Sequence, residues 1–87
     1  MNISAIKQAF ETKYDEHIRT ISKEKDVDMG VARDILIAHA RNRNKTVEEL
    51  SNPSYYYNFE GCENLNYAVL DEDIKVLEDN FIVPKAM

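Results

Sequence analysis

Ten consecutive residues, Val31-Ala32-Arg33-Asp34-Ile35-Leu36-Ile37-Ala38-His39-Ala40, restrict the folds open to this chain more than any other stretch. Seven of the ten are apolar, and on a helix they face nearly every direction. A surface helix carries its apolar residues in one stripe, so a helix that is oily almost all round belongs at the centre of a bundle. Arg33 and Asp34 mark the one strip expected to reach water. The expectation is an all-α fold: a small compact bundle of about four helices, with its central apolar helix over about residues 29–42.

The rest of the sequence agrees with helices. Its 87 residues, 44% of them hydrophobic, suit one domain over 1–87 with a single modest core. A chain of this size hides roughly 60% of the surface it exposes when unfolded. Two glycines and two prolines leave little for hairpin turns. The lone Cys62 excludes an intrachain disulfide framework and points to a reducing, cytoplasmic setting. No apolar run approaches the ~20 residues that span a bilayer. The first residues lack the basic and apolar segments of a signal peptide.

Ile6, Phe10, Tyr14, Ile18 and Ile21 step by four, four, four and three, which predicts a first helix from about Asn2 or Ser4 to about Ser22. Asp28 is the preferred N-cap of the central helix. Thr46-Val47-Glu48-Glu49 reads as a capping box opening a short third helix, cut off by Asn52-Pro53. Tyr67, Leu70, Ile74, Leu77 and Phe81 form the seam of a last helix, widened by Val69, Val76 and Val83, starting near Asn64 or Asn66 and ended by Pro84. A rival reading makes Tyr67-Ala68-Val69-Leu70 a short strand.

Charge is divided unevenly. Residues 1–45 carry nine Lys/Arg against seven Asp/Glu, and residues 46–87 carry two against nine, for a net charge of −5. Folding can pair the two halves internally or present an acidic face to a basic partner. The overall sign disfavours bulk nucleic-acid binding.

Motifs for chemistry are sparse. His17, His39 and Cys62 are the only soft metal ligands, and none has the spacing of a zinc site. His39 reads better as a hydrogen-bonded core residue. No catalytic residue, metal or cofactor is predicted. The acids Asp71-Glu72-Asp73 and Glu78-Asp79 read as a solvated face or as a docking face for a basic protein.

Two surfaces compete as binding sites. The first is Tyr55-Tyr56-Tyr57 with Phe59, half of the eight aromatics within five positions, flanked by Glu48, Glu49, Glu60 and Glu63. Consecutive tyrosines cannot all point inward, and tyrosine is enriched among binding hot spots. The second is the basic cluster Arg33, Arg41, Arg43 and Lys45, since Arg can read base edges and hold phosphates. That cluster ends a helix, whereas a helix-turn-helix protein reads with the start of its second helix.

Asn52-Pro53-Ser54-Tyr55-Tyr56-Tyr57 followed by Glu60-Gly61 resembles the interrupted, tyrosine-bearing third helix of the immunity proteins of DNase colicins. The likeness covers ten residues, 52–61, and serves as an analogy for mode of action. That family places acids on its second helix, where this chain ends in Arg41 and Arg43. The function expected is a small acidic, non-enzymatic regulator or inhibitor of a protein target, of phage-encoded host-takeover or immunity type. The alternative is a small nucleic-acid-binding regulator. Association of the chain with itself is open in either case.

Overall fold

A computed structural model of the chain describes residues 2–43, 47–49 and 64–85. The described residues form a bundle of four α-helices: α1 (Ile3–Lys13), α2 (Asp15–Lys25), α3 (Met29–Asn42) and α4 (Tyr67–Asp79), with a short 3₁₀ turn at Val47–Glu49. No strand occurs among the described residues.

The ten-residue stretch lies in α3, which buries Ala32, Ile35, Leu36, Ile37, His39 and Ala40. Leu36 has no exposed surface, and it meets the equally covered Ile18 and Ile21 of α2 and Leu70 and Leu77 of α4 in one cluster. Each such side chain contributes about 2 kcal/mol by leaving water. Two details differ from expectation. Val31, at the start of the stretch, is partly exposed, and the Arg33 side chain is only 12% exposed because carboxylates on α1 and α3 engage it.

The predicted first helix is two helices. The chain kinks at Tyr14, with φ −108° and ψ 21°, although Tyr14 still donates to Phe10 and accepts from Ile18 along the helical ladder. No proline or glycine occurs here. The kinked residue is the one tied across the bundle: its ring packs on Phe10 at 4.8 Å between centroids, and its hydroxyl donates to Asp73 of α4. The expected stripe is otherwise inside, with Phe10, Tyr14, Ile18 and Ile21 buried.

Caps set the remaining boundaries. Asn2 accepts from the amides of Ser4 and Ala5, Asp28 from Val31, and Asn66 from Val69. Each side-chain oxygen satisfies an orphan amide of a helix start. The rival strand at residues 67–70 is overturned, since Tyr67 opens α4. The capping-box segment forms a 3₁₀ turn over Val47–Glu49, and the expected cut-off at Asn52-Pro53 lies outside the described residues.

The end of the last helix is also corrected. Helix α4 stops at Asp79, before the expected limit at Pro84, so Phe81 is not a seam residue and is 91% exposed. Ile82 donates to the Leu77 carbonyl and Phe81 to that of Glu78, the pair of bonds that makes a Schellman cap. Of the widening line, Val83 is buried, Val69 half-buried and Val76 exposed.

Candidate functional site

Arg43, just past the end of α3, meets the first turns of α4. Its guanidinium grips Asp71 with two bonds of 3.2 and 3.0 Å and lies over the Tyr67 ring, 4.7 Å from its centroid. Tyr67 in turn holds His39, hydroxyl to Nε2, at 2.8 Å. Burial first, and then the nearby Arg43 cation, push the His39 pKa below its ordinary value, so the ring is neutral at pH 7. His39 is thus the hydrogen-bonded core residue expected. The chain leaves α3 and returns to α4 at one corner, held by contacts between Arg43, Asp71, Tyr67 and His39.

The other two arginines of the predicted basic cluster are engaged as well. Arg41 reaches Glu78 at 2.6 Å and also donates to the Pro84 carbonyl. Arg33 bonds Asp34 at 3.1 Å and pairs with Glu11 of α1 at 3.4 Å. Lys13 meets Asp73 at 2.8 Å. Three of these pairs, Lys13–Asp73, Arg41–Glu78 and Arg43–Asp71, join the basic first half of the chain to its acidic second half. The charge asymmetry is partly spent inside the fold. Arg33 and Arg41 border one groove, Arg43 sits at the Tyr67 corner, and Lys45 lies outside the described residues.

Of the predicted protein-binding residues, Glu48 and Glu49 are exposed on the 3₁₀ turn. Tyr55, Tyr56, Tyr57, Phe59, Glu60 and Glu63 lie outside the described residues. On α4, Glu72 and Asp79 face water, while Asp71, Asp73 and Glu78 take part in the pairs above. No group of three or more His, Cys, Asp or Glu among the described residues is arranged to hold a metal. No described helix is long and apolar enough to cross a membrane.

One feature was not legible in the sequence. Between α3 and the tail that follows α4 runs a groove of about 370 Å³. It is lined by Ile37, Ala38, Ile82, Val83 and Pro84 together with the charged Arg33, Asp34 and Arg41. The Nε of Arg41 is buried without an acceptor among the described residues. Nothing in the spacing of residues 81–84 signals that they leave the helix and fold back over α3.

Comparison with known protein families, curated proteins and solved structures gives no match. The local likeness of residues 52–61 to colicin immunity proteins gains no support from it.

Proposed function

We propose that the chain is a small non-enzymatic regulator or inhibitor that binds a protein target carrying a basic surface. In this reading the helical bundle is the support. The contact surface is the tyrosine-rich segment with Tyr55, Tyr56, Tyr57 and Phe59, flanked by Glu48, Glu49, Glu60 and Glu63. The setting is the cytoplasm of a bacterial host, as for a phage-encoded or immunity-type protein.

The observation that carries this reading is the state of the arginines. Arg33, Arg41 and Arg43 are each held by carboxylates of their own chain. A phosphate would have to displace those carboxylates before it gained a contact, which weakens the nucleic-acid alternative. The net negative charge then favours a basic partner and speeds encounter with it.

The test uses the full chain as bait in host extract, followed by affinity measurement with the captured protein. Tyr56→Ala and Glu60→Lys are expected to weaken binding at least tenfold, a change of about 1.4 kcal/mol or more. Affinity untouched by both would remove this contact surface. Binding to DNA or RNA that falls steeply with salt and is lost in Arg43→Ala would transfer the function to the alternative.

A further inference from the structure

Phe81 breaks a local rule without any packing gain among the described residues. It occupies the left-handed position of the cap that ends α4, at φ 59°. Glycine is the usual residue there, because a Cβ crowds the backbone in this region. The same position after α2 holds Asp26, φ 54°, a short polar residue that tolerates it. A phenylalanine at such an angle is an outlier, and its ring is 91% exposed. Its neighbours behave oppositely, with Ile82 packed against the core and Val83 buried. The turn thus folds two apolar side chains inward and holds the third out in water.

Beside this aromatic knob lies the groove lined in part by Ile37, Ala38 and Val83. An apolar cavity of about 150 Å³ already takes a benzene molecule, so about 370 Å³ has room for a phenyl ring. Arg33 and Arg41 border the groove, and guanidinium groups attract the face of an aromatic ring more than an aliphatic chain. Phe81 stands outside the groove of its own chain although the next three residues line it.

We infer that the occupant is a second copy of this chain: Phe81 of each protomer inserts into the groove of the other, forming a twofold dimer. Knob and groove belong to one turn, so a twofold axis beside residues 81–84 makes both insertions at once. This is the self-complementary arrangement that closed dimers require.

The test is sedimentation equilibrium of the full chain, with thermal unfolding followed by circular dichroism. Wild type is expected to dimerise between about 1 µM and 1 mM. Phe81→Ala, Phe81→Gly and Ala38→Glu should each weaken the dimer at least tenfold. Compared at concentrations where both are monomers, Phe81→Gly should melt no lower than wild type, because the cap keeps its bonds and loses its crowding. An equimolar mixture of Phe81→Ala and Ala38→Glu regains one of the two insertions, so it should form a mixed dimer tighter than either variant alone. A wild type that stays monomeric to about 1 mM, including one whose groove takes a different protein, overturns the inference. So does a dimer indifferent to Phe81→Ala.

Discussion

The hydroxyl of Tyr14 donates to Oδ2 of Asp73 at 2.5 Å, joining the kink between α1 and α2 to the middle of α4. The two residues are 59 apart in sequence, and Lys13 binds the same carboxylate. A buried ring thus carries its polar tip to a carboxylate on another helix, which links the kink to α4.

Tyr14→Phe keeps the ring and removes that bond. A hydrogen bond to a charged group contributes about 1.5–3 kcal/mol, and the partly exposed Asp73 keeps Lys13, so the expected loss is about 1–2 kcal/mol in urea unfolding. Alkali provides a second reading. Burial, and then the bond and charge of Asp73, raise the Tyr14 pKa well above its ordinary 10.0. The unfolded chain therefore sheds this proton first. Stability should fall as pH rises beyond about 10, more steeply in wild type than in Tyr14→Phe.

His39 carries the opposite dependence. Its pKa is lowered from 6.5, chiefly by burial and secondarily by Arg43, so below that pH the unfolded chain binds the proton that the folded ring refuses. The contribution is complete above 6.5 and is lost as pH falls through the lowered value. The slope from this group cannot exceed about 1.4 kcal/mol per pH unit. In urea unfolding between pH 7 and 5, His39→Gln should show a flatter dependence than wild type. Equal slopes would mean that His39 is not the group responsible.

Arg41 should matter for stability and not for nucleic acid. Arg41→Met abandons Glu78 and the Pro84 carbonyl in a site where the two side chains are 25% and 17% exposed. The expected loss is about 1–3 kcal/mol, below the cost of breaking a fully buried pair. The Arg43–Asp71 pair is more exposed, so Arg43→Ala should cost under about 1 kcal/mol from the pair itself. Salt-dependent DNA binding that vanished in Arg41→Met without a drop in stability would contradict this assignment.

Residues 31–40 were enough to place the central helix, because so much apolar surface on one segment has no other destination in a small helical protein. Asp28 marked a helix start through the local chemistry of its side chain, whereas the start of α4 was open between Asn64 and Asn66 until the fold placed the cap at Asn66. The kink at Tyr14 was invisible because the apolar spacing runs unbroken through it, and the residue's cross-bundle partner, Asp73, sits on another helix. The early end of α4 was hidden for a related reason. Phe81 continues the helical spacing of apolar residues, and only the turn of Ile82 back onto the core shows that the helix has finished. The fate of Arg33, Arg41 and Arg43 depended likewise on which acids the fold brought beside them. Clustering along the sequence made them a strip, and pairing in space made them cross-links.

The first helix is the least firmly fastened of the four. Between Ile3 and Lys13 only Phe10 is fully covered, against six residues in α3. Lys13 and Tyr14 act as a clasp at its far end, so the segment ahead of them can fray while α2, α3 and α4 stay closed. Local opening of this kind costs less than global unfolding and is graded along a molecule. Among the four described helices, deuterium should therefore enter the amides of α1 first and those around Leu36 last, which makes the N-terminal arm the first of them to come apart.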